Sequence, residues 1–411
     1  MKPQFKEATK ILLLENIHEA AAETFRSSGQ ARDIVSFSGS PSEDQLIEML
    51  KDVRMVGVRS KTNITERVLA AAPQLAAVGC FCIGIDQVDI NAATRRGVAV
   101  FNAPFSNTRS VAELGIAEVI MLARKAVQRS VEMHRGKWEK SAGGCVEVRR
   151  KTLGVVGYGH IGPQIGLLAE SMGMKVIFHD IVKKLALGNA RQTTDLDELL
   201  KASDFVSMHV PDTPQTRNMI GAEQLAMMRI GGCLLNLSRG TVVDIPALKA
   251  ALDSGHIAGA ALDVYPQEPA SGADPFESEI RGMENVILTP HIGGSTEEAQ
   301  HNIGVEVADA LGGYYDEGVT TGCINLPEVQ LPVSQDSVRI LNIHKDVPGV
   351  LGRINSFIAN ANVNIKAQTY RTHEGVGYLI MDTEKGLPLE VCEHIDALGS
   401  NIRTRSITFS N

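Results

Sequence analysis

Along residues 9–103, short apolar runs alternate with stretches whose apolar positions recur at helical spacing. Runs at 11–14, 53–58, 75–85 and 98–101 read as strands; 18–28, 66–72 and 91–96 read as helices, the first closed by Gly29. In Ser40-Pro41-Ser42-Glu43 the order of serine, proline and acid predicts a helix start with Ser40 as N-cap. Strands alternating with helices of this size predict an open parallel sheet. Residues 110–133 then form one long helical run, apolar on several faces. The alternation resumes at Lys151, with strands at 153–156, 176–178, 205–209, 233–237, 257–261 and 286–288. Six such strands, with helical patterns between the first five, predict a doubly wound α/β sheet. A helix and a short tail occupy 297–326, and a linker bearing Pro327 and Pro332 leads to the last stretch. There the pattern reads strand 338–344, helix to about 360, strands 365–371 and 378–382, helix 389–398 and strand 402–409. That βαββαβ order predicts a ferredoxin-like unit.

Composition narrows the class. At roughly 150 residues per domain, a chain of 411 residues holds two to three domains. The net charge of −8 argues against nucleic-acid and anionic-lipid partners. Aromatics are only 4% of a chain that is 44% hydrophobic, so its cores must be aliphatic. The N-terminal stretch is polar, and the apolar run at 11–14 is too short for a signal-peptide core. No run approaches the ~18 apolar residues of a membrane helix. Cys80, Cys82, Cys145, Cys233, Cys323 and Cys392 are scattered, and no Cys/His spacing reads as a metal site. Cys80 and Cys82 alternate along a predicted strand and point to opposite faces, which forbids their pairing. Reduced thiols in a cytoplasmic protein are the expectation.

Candidate chemistry gathers at strand ends. Gly157-Tyr158-Gly159-His160-Ile161-Gly162 is a G-x-G-x-x-G between a predicted strand and a predicted helix, and Asp180 closes the next strand. Such glycines permit a tight turn and close approach of backbone N–H groups to a pyrophosphate, while the acid accepts from ribose hydroxyls. Lys183 and Lys184 are possible ligands for a 2′-phosphate, but Asp180 would repel one, so NAD is predicted rather than NADP. Ligands of open α/β sheets bind beyond the carboxyl ends of the strands. Those ends carry His209, then Ser238-Arg239-Gly240, then Asp263 with Glu268 close behind, then His291-Ile292-Gly293-Gly294. A histidine can take a hydroxyl proton, a carboxylate can fix its tautomer, and an arginine can hold a substrate carboxylate bidentately. Taken singly, each has an ordinary reading: a core histidine, a surface acid, a helix-capping arginine. Trp138, the single tryptophan, reads equally as a chance residue near a core helix or as a subunit anchor.

Motifs across the chain carry a resemblance: VRSKTNIT (58–65), FNAPFSNTRSVAE (101–113), GVVGYGHIG (154–162), LSRGTVVDIPAL (237–248), ALDVYPQEP (261–269) and LTPHIGGSTEEAQ (288–300). The chain resembles the D-isomer-specific 2-hydroxyacid dehydrogenases, in particular a short bacterial type with a C-terminal ACT domain. The resemblance implies a discontinuous flavodoxin-like substrate-binding domain over 1–103 and 297–330, an inserted Rossmann-type NAD domain over 104–296, and an ACT regulatory domain over 337–411. It assigns His291 as acid/base, Glu268 as its partner and Arg239 as carboxylate anchor. NAD contacts fall on Gly157, Gly159, His160, Ile161, Gly162, Asp180, His209, Leu237, Ser238, Arg239, Asp263, His291, Ile292, Gly293 and Gly294. Arg59, Ser60 and Asn107 match substrate-side positions in an interdomain cleft. The implied reaction is oxidation of 3-phosphoglycerate to 3-phosphohydroxypyruvate, opening L-serine biosynthesis, with 2-oxoglutarate reduction as a secondary activity. L-Serine is the implied effector, at His344, Asp346 and Asn364 of paired ACT domains. Relatives carry asparagine where this chain has Asp346, a carboxylate that can hold serine's ammonium but repels its carboxylate. The resemblance also implies a homotetramer, with Trp138 in a subunit contact, and no metal. Two other readings compete: a hydroxypyruvate or glyoxylate reductase, which usually lacks the ACT unit, and an NAD-sensing corepressor, which would not need the Arg–Glu–His set.

Overall fold

The first apolar run, TKILL, forms β1 (Thr9–Leu13), whose last three residues are all buried, as expected of a strand covered on both faces. Next come α1 (Glu19–Ser27), β2 (Arg32–Ser36), α2 (Glu43–Met49), β3 (Met55–Val58), α3 (Glu66–Ala71), β4 (Ala77–Cys80), α4 (Ile90–Arg95) and β5 (Ala99–Phe101). They make a five-stranded, all-parallel sheet in the order β2-β1-β3-β4-β5. The computed structural model describes residues 8–269 and 274–409. Three sequence expectations change in this region. β2 was not predicted: it is an edge strand with no fully buried residue, so its sequence carries no apolar alternation. The N-cap of α2 is Ser42, which forms a capping box with Gln45, and the Ser40 hydroxyl instead meets Thr62 Oγ1 at 2.9 Å. The run at 75–85 is strand only as far as Cys80, after which the chain leaves the sheet as a loop.

The predicted helix over 110–133 is two helices, α5 (Thr108–Arg124) and α6 (Ala126–His134). Between them Lys125 adopts the left-handed conformation, φ 51°, and its N–H closes the first helix on the Leu122 and Met121 carbonyls. The second parallel sheet is built from β6 (Thr152–Val156), α7 (Ile161–Ser171), β7 (Lys175–His179), β8 (Arg191–Gln192), α8 (Leu196–Ala202), β9 (Phe205–Met208), α9 (Ala222–Met227), β10 (Gly232–Asn236), α10 (Ile245–Asp253), β11 (Ile257–Leu262) and β12 (Val286–Leu288). Its order is β12-β11-β10-β9-β6-β7-β8, seven strands where six were predicted. The extra strand, β8, is two residues long and too short to leave a periodic signal. Strand order reverses between β6 and β9, the switch point at which doubly wound sheets open a ligand crevice.

α11 (Glu297–Glu317) leads to β13 (Ser337–Lys345), α12 (Val350–Asn360), β14 (Ile365–His373), β15 (Val376–Glu384), α13 (Leu389–Asp396) and β16 (Asn401–Phe409). The last four strands form an antiparallel sheet in the order β14-β15-β13-β16. Alternation puts Ile340, Leu379 and Met381 against α12 and α13. Leu341, Ile343, Tyr378 and Ile380 join the core that holds Phe101, Leu311 and Tyr314. Charged side chains reinforce this seam. Arg339 and Asp382, both fully buried, pair at 2.7 Å, and the same guanidinium donates to the carbonyls of Glu317, Leu331 and Pro332. Arg405 donates to the Tyr314 and Tyr315 carbonyls and lies over both rings. Arg403 donates to the carbonyls of Leu75 and Pro73.

The chain thus divides into two compact units: Met1–Pro104 with Gln300–Asn411, and Phe105–Ala299. The antiparallel sheet belongs to the first of them, together with the five-stranded sheet. Among the described residues no helix is long and apolar enough to cross a membrane, and no cluster of His, Cys, Asp and Glu has the makings of a metal site. All six cysteines are free thiols.

Candidate active site

β6 runs directly into the glycine loop, and its glycines divide into two kinds. Gly157 takes φ 92°, and a Cβ there would stand 2.5 Å from the His209 carbonyl oxygen. A Cβ on Gly162 would stand 2.5 Å from the carbonyl oxygen of Gly157. These two glycines let the chain approach itself. Gly159 has nothing within 4 Å of where its Cβ would lie, so its backbone faces space that an outside group can use. His160 and Ile161 begin α7, whose first N–H groups have no helical partner and favour an anion. After β7, Asp180 accepts the N–H of Tyr158 at 2.9 Å and of Val182 at 3.1 Å, which leaves each oxygen a further lone pair. Open backbone, a helix N-terminus and an acid at the next strand end fit a dinucleotide.

His209 directly follows the end of β9. Its Nε2 meets the Ser207 hydroxyl at 2.8 Å, and its Nδ1 is buried without a partner. Burial depresses its pKa to about 4, so the ring is neutral. What His209 offers the glycine loop is backbone.

Arg239, Glu268 and His291 follow the ends of β10, β11 and β12. After β10, the N–H and hydroxyl of Ser238 both donate to Asn236 Oδ1, at 3.1 and 2.9 Å. Asn236 Nδ2 in turn donates to the Arg239 carbonyl at 2.9 Å. Leu237, between them, is buried. A Cβ on Gly240 would fall inside the peptide joining Tyr265 to Pro266, so the segment bearing Arg239 lies directly on the one that leads to Glu268. The Glu268 carboxylate spans His291 Nδ1 at 3.1 and 2.9 Å and takes the Tyr265 N–H at 3.3 Å. His291 itself has φ 55°, unusual for a non-glycine residue. Its loop is held from below by Asp263, which is 2% exposed. That carboxylate accepts from Thr289 Oγ1 at 2.6 Å, from Ile292 N at 2.8 Å and from Gly293 N at 2.7 Å. A Cβ on Gly294 would collide with Asn107 Nδ2, which places Asn107 against this loop, with its Oδ1 buried and unpartnered.

The charges suit acid–base work. The hydrogen bond to Glu268 lifts the His291 imidazole above its ordinary pKa, against the opposing effect of burial. Burial pushes Glu268 up, but the hydrogen bond and charge of His291, the Tyr265 N–H and the Arg239 guanidinium hold it below its ordinary value. With a carboxylate on Nδ1, that nitrogen carries the proton, and Nε2 is the basic atom.

On the five-stranded sheet, Arg59 and the exposed Ser60 follow β3 at the carboxyl edge. In the antiparallel sheet, His344 is 1% exposed; its Nδ1 donates to Asn342 Oδ1 at 2.7 Å, its Nε2 meets Tyr370 Oη at 3.3 Å, and its ring stacks on that of Tyr370. Tyr370 Oη also donates to Asp346. Asn364 is elsewhere. It bonds to Glu384, which pairs with Ser337 at the other end of β13, seven residues and about 24 Å from His344 at the usual strand rise. Within one chain the three proposed effector residues are therefore not one site.

Two groups at the seven-stranded sheet escaped sequence reading. Asn236 knits the Arg239 segment, yet it sits inside a strand without a motif of its own. Glu118 on α5 is 1% exposed, and neither oxygen has a hydrogen-bond partner. Burial, then the nearby Asp263 carboxylate, push its pKa up to about 8.

Residues 116–293 match the family model described as the NAD-binding domain of D-isomer specific 2-hydroxyacid dehydrogenases. The chain is 50% identical over 400 residues to a D-3-phosphoglycerate dehydrogenase of Dictyostelium discoideum, covering 97% of each. It is also 50% identical over 402 residues to the D-3-phosphoglycerate dehydrogenase of Escherichia coli strain K12, covering 97% of this chain and 98% of that one. The chain belongs to the D-isomer specific 2-hydroxyacid dehydrogenases. Among solved structures, a D-lactate dehydrogenase from Aquifex aeolicus, complexed with NAD and lactic acid, is 27% identical with a TM-score of 0.67; the match covers 77% of this chain and 100% of that one. An NAD-complexed member from Lactobacillus delbrueckii ssp. bulgaricus is 25% identical, with the same TM-score and coverage. In this chain Arg239, Glu268 and His291 stand together at the carboxyl edge of the seven-stranded sheet.

Proposed function

We propose that this dehydrogenase oxidises 3-phosphoglycerate to 3-phosphohydroxypyruvate with NAD, the first step of L-serine biosynthesis. The observation that carries the chemistry is the Glu268–His291 pair, at 2.9 Å, on the sheet edge that also bears Arg239 and the glycine loop. The names of the relatives, 50% identical over nearly the whole chain, supply the substrate. NAD, when bound, supplies the hydride acceptor. His291 Nε2 takes the proton of the C2 hydroxyl, and Glu268 stabilises the imidazolium that results. Arg239 holds the substrate carboxylate and polarises the reacting carbon–oxygen bond. Gly159, His160 and Ile161 receive the pyrophosphate, Asp180 the adenosine ribose, and the Asp263-held loop 291–294 the nicotinamide side. Arg59, Ser60 and Asn107 bind substrate, Arg59 through the phosphate.

The same reading assigns the antiparallel sheet as an ACT domain that binds L-serine between two copies of the chain. The separation of Asn364 from His344 and Asp346 supports a site shared by two subunits. Trp138, 78% exposed, supports a second subunit contact and hence a tetramer. 2-Oxoglutarate is a secondary substrate in this reading.

Absorbance of NADH formed from 3-phosphoglycerate tests the mechanism. His291→Ala is expected to lower kcat by about 10²- to 10⁴-fold, and equal rates in both proteins would refute the assignment. Unchanged activity in millimolar L-serine would refute the effector.

A further inference from the structure

The carboxyl edge of the five-stranded sheet holds two buried polar side chains that the reaction above does not use. Glu15 follows β1 in the left-handed region, φ 59°, and is 8% exposed. Its carboxylate accepts three backbone N–H groups of the loop after β3. Oε1 takes those of Arg59 at 3.2 Å and Thr62 at 2.9 Å; Oε2 takes that of Lys61 at 3.0 Å. Gln87, also 8% exposed, reaches in from the loop after β4, and its Nε2 donates to the Arg59 carbonyl at 2.6 Å. Both peptide groups flanking the Arg59 side chain are therefore pinned by buried partners. Thr62, 2% exposed, anchors the far end of the loop through Ser40.

Backbone N–H groups that converge on one point form an anion nest. Here the chain's own carboxylate fills the nest. The amides of Arg59, Lys61 and Thr62 are consequently spent on Glu15, and an anionic substrate must be read by the side chains of the loop. Side-chain recognition of a phosphate demands a backbone already fixed, because otherwise binding has to order the loop each time.

We propose that Glu15 and Gln87 are positioning residues for phosphate recognition: together they hold the Arg59–Ser60 backbone in its binding conformation. The inference rests on the assignment of Arg59 and Ser60 to the substrate. It separates from a purely electrostatic role of Glu15 by sign. A buried negative charge that merely repelled the substrate would be relieved in Glu15→Gln, and KM would fall. A positioning carboxylate loses part of its hold in Glu15→Gln, which keeps an Oε1 acceptor for Arg59 and Thr62 but sets an NH₂ against the Lys61 N–H.

Steady-state reduction of 3-phosphohydroxypyruvate and of unphosphorylated hydroxypyruvate by NADH tests this, with thermal unfolding as a control. Glu15→Ala is expected to raise KM for the phosphorylated substrate about tenfold, Glu15→Gln and Gln87→Leu about threefold, with kcat and the KM for NADH moving less. The KM for hydroxypyruvate should change far less, so the preference for the phosphorylated substrate falls. Equal losses on both substrates, an unchanged KM, or a lower KM in Glu15→Gln each overturn the proposal. Arg59→Ala separates the layers. If it raises KM while folded Glu15 and Gln87 variants do not, positioning fails and the substrate assignment stands. If Arg59→Ala itself leaves KM unchanged, both fail. Should Glu15→Ala not fold, Glu15→Gln and Gln87→Leu decide the matter by the same criteria.

Discussion

The two parallel sheets solve one problem in different ways. Each holds a loop still at its carboxyl edge by setting a buried carboxylate under it: Asp263 beneath 289–293, Glu15 beneath 59–62. Around Asp263 the loops are crowded with glycine, at 157, 159, 162, 240, 293 and 294. The 59–62 loop has none and is braced by amide side chains. Gln87 holds it directly, and along the same edge Asn102 donates to the Ile83 carbonyl at 2.6 Å. Most of these glycines let the chain approach itself, as Gly157, Gly162 and Gly240 do, and Gly159 alone among them leaves its backbone open to an outside group such as a dinucleotide. In the proposed function the 59–62 loop instead meets a small acid with its side chains, and the backbone beneath them is buttressed.

Five substitutions test that contrast. The largest effect is expected at Gly240, where a Cβ would fall inside the Tyr265–Pro266 peptide and backbone cannot yield. Gly240→Ala should give no soluble protein, or one whose Tm is lowered by more than about 10 °C. Gly57, in the five-stranded sheet, is the counterpart: its Cβ would meet only side-chain carbons of Phe81, Ile17 and Leu13, at 2.6 to 2.9 Å. Gly57→Ala should fold with a smaller loss, because those side chains can shift. Equal Tm values for the two variants would remove the distinction.

Glu118 asks whether the seven-stranded sheet also depends on a buried polar group. Its proton is held in the folded chain up to about pH 8 but leaves the unfolded chain near 4.5, so folding takes up a proton between those values. Stability therefore falls as pH rises through that window and levels off above it. Glu118→Gln, which has no proton to lose, should unfold several degrees higher than the parent at pH 8.5, and the gap should close towards pH 5. A gap independent of pH would show that Glu118 is not protonated in the folded chain. At Gly159, where a Cβ meets nothing within 4 Å, alanine should leave Tm unchanged yet weaken NAD binding about tenfold in a fluorescence titration. Unaltered affinity would mean that no ligand approaches that backbone. The smallest effect is a displacement of pH dependence. Glu268 raises the pKa of His291, so Glu268→Gln should move the acid limb of 3-phosphoglycerate oxidation to lower pH, since the neutral base then persists further into acid. A limb that stays in place would separate Glu268 from the titration of His291.

The same contrast explains what was legible in the sequence. Glycine at fixed spacing after a strand, and Arg, Glu and His just beyond strand ends, leave a pattern because backbone geometry dictates where they stand. The structure brings Arg239, Glu268 and His291 to one edge accordingly. Glu15 leaves no pattern: a lone acid after an apolar run looks like any solvated residue, and only the fold brings 59–62 to it. Glu118 is hidden for the same reason, as one charge in an otherwise ordinary helix. Errors of local structure share this cause. Nothing in the composition around Lys125 marks a left-handed break, Ser40 and Ser42 both satisfy the capping rule, and the exposed edge strand β2 has no apolar period. Nor does spacing along the chain reveal that Asn364 and His344 stand at opposite ends of β13.

The seam between the antiparallel sheet and the rest of its unit bears on how such a chain lengthens or shortens over evolution. The Aquifex lactate dehydrogenase is matched over its full length by 77% of this chain. A gene for this protein cut ahead of residue 337 would nevertheless encode a sticky product. Leu311, Tyr314 and Phe101 would lose their apolar cover, and the Tyr314 and Tyr315 rings would lose the guanidinium of Arg405 that lies over them. Bared apolar surface of that kind recruits other chains. The segment from residue 337 onward is therefore not a bead that recombination can add or remove in one step. Its arrival or departure has to be matched by polar replacements along α11, and a shortened version meant for the laboratory needs those replacements too.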